Sequence, residues 1–367
     1  MGAKLLCLFL TSALLAYYLY TPVLEDFEEP WKVMLIAAGV RVLDHVSEVA
    51  DRLGLMHYME ATRLITNIDY VAPTSDENVT VTDTEFGKVP VRLYLPRKAS
   101  DGLRRAVLFF HGGGWAIGQA GARSYDYLTR RTSNNLNAVV VSVNYRLVPE
   151  YHFPIPFEDV YSVTKFFLQS SVLSQYRVDP DRVCVAGDSA GGNLAAAVAQ
   201  QLLEDSEVKT KLKAQALLYP ALQTLDMNLP SYQDNKNKPV LTRSLMIRFW
   251  SEYFTSDPSL RQAMASNRAE RAQNCPGFLD RRAAPLLASD AQLRGLPLTY
   301  VLTCQHDLLR DDGVMYAVRL RAAGVPVTHD HAKDAFHAVL SFASCPLKLA
   351  VGRRLLDRYI AWLNENL

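Results

Sequence analysis

Gly187-Asp188-Ser189-Ala190-Gly191-Gly192 follows the apolar run Val183-Cys184-Val185-Ala186 and precedes Asn193-Leu194-Ala195-Ala196-Ala197-Val198. A strand, a sharp glycine turn and a helix, in that order, hold a serine out as a nucleophile. The turn strains the backbone and crowds strand against helix, so the glycines around Ser189 leave room that a side chain would fill. Ala190 is small enough to leave its amide free to face a developing oxyanion. Small residues also allow close strand-to-helix packing in any α/β fold, so this hexapeptide needs a second signal.

That signal is His111-Gly112-Gly113-Gly114-Trp115, directly after the apolar run Ala106-Val107-Leu108-Phe109-Phe110. Successive glycines after a buried strand expose N–H groups that no sheet partner satisfies. The amides of Gly112, Gly113 and Ala190 are the expected oxyanion donors, and one well-aimed donor is worth roughly 3 kcal/mol of barrier. A serine hydroxyl also needs a base, and the base an orienting carboxylate. His337 follows Asp334-Ala335-Phe336 after the strand-like Val325 to His331. Asp307 follows the strand-like Leu298 to Cys304, at the strand end where α/β sheets collect their functional groups. Asp311 and Asp312 are the competing carboxylates, placed where a helix start favours acids. His329 and His331 alternate along a strand and read as surface or packed imidazoles. His45, His57, His152 and His306 read as structural or solvent-facing, and Asp188 as a turn residue.

These motifs, with Asn144-Tyr145-Arg146-Leu147-Val148-Pro149-Glu150, resemble the hormone-sensitive lipase family of α/β-hydrolases over nearly the whole chain. The resemblance implies a microsomal serine hydrolase of small aryl amides and of carboxylic and lipid esters. Its triad would be Ser189, Asp307 and His337, with no metal or organic cofactor. In that family the strand-end cysteine at position 304 tends to pair with a residue just after the glycine-tryptophan motif. Ala116 stands there, so the resemblance implies no such bridge. Three departures stand out: Val148 for the usual alanine, Ala335 for the usual glycine, and a stretch from about Ala265 to Cys275 shorter than the family's. The shortened lid opens an alternative reading, a catalytically silent binding protein on the same fold, as in the gibberellin receptors. Within the enzyme reading, a cholesteryl ester or acylglycerol hydrolase competes with an aryl amidase.

The chain has 367 residues, 49% hydrophobic and 21% charged, enough for one hydrolase core plus covering elements. A net charge of +1 gives no reason to expect a nucleic-acid partner. No Walker loop, HExxH or Cys/His metal motif is present. Strands and helices alternate from Ala138 to Tyr219, which predicts an α/β-hydrolase fold: a mostly parallel sheet with helices on both faces and a helical lid. Leu5 to Leu24 carries no charge, long enough for one transmembrane helix. Lys4 precedes it, while Glu25, Asp26, Glu28 and Glu29 follow. The charge bias predicts a single-pass type II anchor in the endoplasmic reticulum membrane with a lumenal catalytic domain. A cleaved signal peptide is the alternative, although no small-x-small site closes the segment. Lumenal residence would make Asn78-Val79-Thr80 a glycan acceptor. The expected division is 1–24 stub and anchor, 25–75 lid helices, 76–220 core, 221–297 second lid segment, and 298–367 core. In the first lid segment Met34, Leu35, Ala38, Val42, Val46, Val49 and Leu53 recur at helical spacing, which predicts a helix burying that face. In the second, Leu245 to Phe254 is expected to line an acyl or aryl pocket.

Overall fold

The computed structural model describes residues 2–19, 26–266, 275 and 277–367. Eight strands form one sheet: β1 Val79–Phe86, β2 Val89–Pro96, β3 Arg104–Phe110, β4 Val139–Val143, β5 Val178–Asp188, β6 Ala214–Leu218, β7 Leu298–His306 and β8 Val327–Phe336. Their order is β1-β2-β4-β3-β5-β6-β7-β8. β2 pairs antiparallel with β1 and β4, and every pair from β4 to β8 is parallel. Both faces of a parallel sheet must be covered, so its strands read as near-continuous apolar runs.

The pleat divides those runs between two cores. Leu108 and Phe110 of β3 pack with Phe157 and Val160 of the helix Ile155–Phe167 and with Leu194 of the helix Ala190–Glu204. Val107 and Phe109 point the other way, toward Leu128 of the helix Arg123–Leu136 and Leu355 and Tyr359 of the helix Ala350–Asn366. This two-residue alternation is what a covered sheet demands. Because β3, β5, β7 and β8 run parallel, the segments after them emerge at one edge. The glycine loop, the serine turn, Asp307 and His337 all leave the sheet there.

The segment 25–75, expected to be a lid, forms the helices Pro30–Arg52 and Tyr58–Thr66, and the segment 221–297 supplies the helix Arg243–Phe254. Arg248 joins the two parts: its guanidinium lies 3.8 Å from the centre of the Tyr58 ring, and Nη2 donates to Glu48 at 2.7 Å. One sequence expectation is corrected here. The helix Pro30–Arg52 buries Val33, Ile36, Ala37, Ala38 and Ser47, whereas Leu35, Val42, Val46, Val49 and Leu53 are exposed. The helix carries two apolar faces, and the core takes the one richer in small residues.

The helix Gly2–Leu19 precedes these, with Leu5, Leu8, Phe9 and Leu15 exposed. Among the described residues no helix is long and apolar enough to cross a membrane. Part of the anchor expected over Leu5 to Leu24 lies outside the described residues. So does most of the shortened stretch between Ala265 and Cys275. Ala335 is buried in β8 and is not a positive-φ residue, so the alanine there carries no backbone strain. Cys184 and Cys304 are buried free thiols, and Cys7 and Cys345 are exposed ones.

Candidate active site

Ser189 sits between β5 and the helix Ala190–Glu204 with φ 54° and ψ −118°. This is a strained, left-handed position for a residue with a side chain. Close packing holds it: a Cβ on Gly187 would fall on the Gly191 carbonyl, and one on Gly191 would overlap the Phe110 carbonyl oxygen. The Ser189 amide donates to the Leu218 carbonyl at 2.9 Å, which ties the turn to β6.

His337 follows β8, and its Nε2 lies 2.9 Å from Ser189 Oγ. Its Nδ1 is 2.9 and 3.0 Å from the two Asp307 carboxylate oxygens. All three groups are buried. Asp307 is fixed in turn by the Leu309 amide, which donates to Oδ1 at 2.8 Å, and by Asn235 Nδ2, which donates to the Asp307 carbonyl at 2.9 Å. Tyr219 meets the His337 ring edge-on at 5.2 Å between centres. With Nδ1–H directed at a carboxylate, Nε2 is left to accept a proton from the serine hydroxyl.

The competing carboxylates have other tasks. Asp312 is buried and accepts from the Leu222 and Gln223 amides at 2.9 and 3.3 Å, fixing the loop after β6. Burial pushes its carboxyl up to about 8. Asp311 accepts from the Ser231 amide at 2.8 Å. His329 and His331 both hydrogen-bond Thr303 Oγ1, at 2.8 and 2.9 Å.

The expected oxyanion donors need one correction. The Gly112 amide donates to Asp188 Oδ1 at 2.7 Å and reaches the Tyr125 hydroxyl at 2.9 Å, so it does not face the cavity as a free donor. Gly113 at φ 106° and Gly114 at φ 59° then turn the loop back beside the serine. Among the described residues their amides and that of Ala190 have no protein acceptor, and all three residues line the same cavity as Ser189. Asp188 is thus more than a turn residue. It lies under the glycine loop, nearly inaccessible, and burial pushes its carboxyl up to about 6. The sequence showed an acid beside the serine but not which amide it would take.

His111 supports the loop from behind. Its ring stacks on Tyr145 at 4.3 Å, the Tyr145 hydroxyl donates to the His111 carbonyl at 2.7 Å, and burial brings the imidazole down to about 4. Arg63, from the first lid segment, clamps the far side. Nε donates to the Ala116 carbonyl at 2.9 Å, Nη2 to the Val148 carbonyl, and both Nη atoms to Glu150 at 2.9 Å. No local pattern around Arg63 marks it, because its partners stand more than 50 residues away.

Ser189 and His337 open into a cavity of about 700 Å³. Leu245, Met246 and Phe249 of the second lid helix form part of its wall. Trp250, Tyr253 and Phe254 do not line it. Tyr253 stacks on the buried Trp115 at 4.2 Å, and Phe254 meets Phe278 at 5.7 Å. The expected pocket helix is therefore half wall and half core. Among the described residues no group of His, Cys, Asp and Glu is arranged to hold a metal ion.

A nucleophile, base and carboxylate in line, with free amides beside the serine, define a serine hydrolase on an α/β-hydrolase scaffold. The sequence profile of the alpha/beta hydrolase fold matches residues 107–341. Arylacetamide deacetylase of Oryctolagus cuniculus is 51% identical over 401 aligned positions that cover both chains completely. Neutral cholesterol ester hydrolase 1 of Pongo abelii is 43% identical, covering 98% of this chain and 99% of its own. A solved bacterial heroin esterase superposes with a TM-score of 0.71 at 28% identity, covering 84% of this chain and 92% of that one. The chain belongs to the arylacetamide deacetylase family of α/β-hydrolases, and it is a serine esterase or amidase. The 401 aligned positions exceed the 367 residues of this chain, so the rabbit relative carries stretches that this chain lacks.

Proposed function

We propose that this protein hydrolyses carboxylic esters and aryl amides through an acyl-serine intermediate, with Ser189, His337 and Asp307 as its triad. The observation that carries the reading is the continuous hydrogen-bond chain from Ser189 Oγ through His337 to Asp307. His337 Nε2 takes the hydroxyl proton as Oγ attacks the carbonyl carbon. The carbonyl oxygen becomes an oxyanion, held by the amides of Gly113, Gly114 and Ala190. The tetrahedral intermediate collapses as His337 returns the proton to the leaving alcohol or amine. Water enters, gives its proton to His337, and releases the acid by the same steps in reverse. Asp307 holds the imidazole in the needed tautomer and stabilises its cation.

The Leu245–Phe249 wall suits an aryl or acyl group. A lipid ester is the second reading, supported by the cavity volume and by the similarity to a cholesterol ester hydrolase. The chain divides into a stub and anchor at 1–24, lid segments at 25–75 and 221–297, and core at 76–220 and 298–367. The exposed leucines of the N-terminal helix and the acidic segment after it support anchoring in the endoplasmic reticulum membrane with the rest lumenal. Asn78 is exposed just before β1, where a glycan would meet no packed surface. Microsomes carrying the full chain should cleave an aryl acetamide and a short aryl ester, with an initial burst of phenol from the ester equal to the amount of enzyme. Steady turnover from the first moment, under conditions where deacylation is slower than acylation, would contradict the acyl-serine route.

A further inference from the structure

Among the described residues, one apolar face of the helix Pro30–Arg52 is left exposed by the core. Trp31, Leu35, Val42, Val46, Val49 and Leu53 fall within about 60° of one another on a helix of about 100° per residue. They are 59, 44, 48, 49, 55 and 67% exposed. The stripe runs the length of the helix and passes onto the tip, where Leu55 is 74% exposed. A surface helix normally turns one apolar stripe inward, and this one has already buried its other face.

Two observations name the occupant. The helix Gly2–Leu19 lies against the helix Pro30–Arg52, and its apolar side chains are also exposed, so the two apolar surfaces adjoin. The cavity of Ser189 opens at the same place. Gly39 and Leu43, one step around the helix from the stripe, line the cavity, as do Ile65 and Ile68, and Ile68 is 82% exposed at the mouth. Trp31 at one end and Arg52 on the flank are residue types suited to a headgroup boundary.

We infer that the outer face of the helix Pro30–Arg52 lies in the surface of a lipid bilayer and aims the mouth of the catalytic cavity at it, so that apolar substrates enter from the lipid. The inference rests on the anchored reading above for how the helix reaches the membrane. A helix with one polar side and one apolar stripe lies in the plane of the interface rather than across it.

Trp31 gives a clean probe, because Trp115 and Trp250 are fully buried and Trp362 is 6% exposed. The full chain in vesicles of phosphatidylcholine brominated on its acyl chains should show tryptophan quenching relative to unbrominated vesicles, and Trp31→Phe should abolish it. In the same vesicles Val42→Asp/Val46→Asp/Val49→Asp should lower turnover of a bilayer-dissolved long-chain ester by about tenfold, a loss of surface contact equal to one decade in an equilibrium. Turnover of water-soluble p-nitrophenyl acetate should stay within about twofold, since none of the three residues lines the cavity. A protein that stays with the vesicles through an alkaline carbonate wash, yet shows no Trp31 quenching, overturns the inference and leaves the anchor standing. So does one whose Trp31 is covered in a cross-linked dimer. Quenching in vesicles before the wash, by a protein that alkaline carbonate then removes, supports the docked face and removes the anchor.

Discussion

Gly113→Ala isolates the oxyanion loop. Gly113 has φ 106°, and a Cβ there would overlap the carbonyl oxygen of Ile117, a backbone atom that cannot swing aside. The loop must shift, carrying the Gly113 and Gly114 amides away from the serine, while the Ala190 amide stays with the elbow helix. One donor is worth about 3 kcal/mol, so kcat should fall by roughly 10²- to 10³-fold. KM should change little, since the lost contact forms in the transition state. Left-handed strain itself costs on the order of 1–3 kcal/mol of stability and must be separated from the chemistry. Gly324→Ala provides that control, because Gly324 has φ 83°, open space around its Cβ, and no contact with the site. Both variants should lose some Tm, and only Gly113→Ala should lose kcat on a p-nitrophenyl ester. If folded Gly113→Ala turns over within threefold of the parent, the loop amides are not oxyanion donors.

The other predictions concern the groups behind the site. Asp307→Asn places an amide where Nδ1 of His337 needs an acceptor, and steady-state kinetics should show kcat about 10⁴-fold lower with Tm nearly preserved. Asp312, raised by burial to about 8 against an ordinary value of 3.8, contributes stability that is full below pH 3.8 and lost as pH rises toward 8. Melting curves at pH 5 and pH 8 should therefore show a smaller loss for Asp312→Asn than for the parent, whereas parallel profiles would count against an acid buried this way. Arg63→Met strips donors from the Ala116 and Val148 carbonyls and should cost about 2 kcal/mol, a Tm drop of roughly 3–6 °C. Its kcat should fall more than its KM rises if the clamp sets the glycine loop.

The elbow, the glycine loop and the strand–helix alternation were legible because each is local: turn residues and periodicity act over a few positions. Ser189, Asp307 and His337 could be ordered along the chain because parallel strands deliver their ends to one edge. Asp307 was preferred to Asp311 and Asp312 by position, at a strand end rather than a turn further on at a helix start. The Gly112 amide was misassigned because it is taken by an acid 76 residues away, a partner that no local pattern marks. The stripe on the helix Pro30–Arg52 was found by its period, but period does not say which of two apolar faces the core will take. Arg63 and Tyr125 left no trace, because both act through carbonyls, amides and acids distant in sequence.

The central claim is that Ser189 is a nucleophile activated by His337. The most direct test is covalent labelling of microsomes carrying the full chain with a fluorophosphonate probe, beside Ser189→Ala and His337→Ala. The account predicts labelling in the parent, none in Ser189→Ala, and a rate at least 10³-fold lower in His337→Ala. Equal labelling of the parent and Ser189→Ala would contradict it.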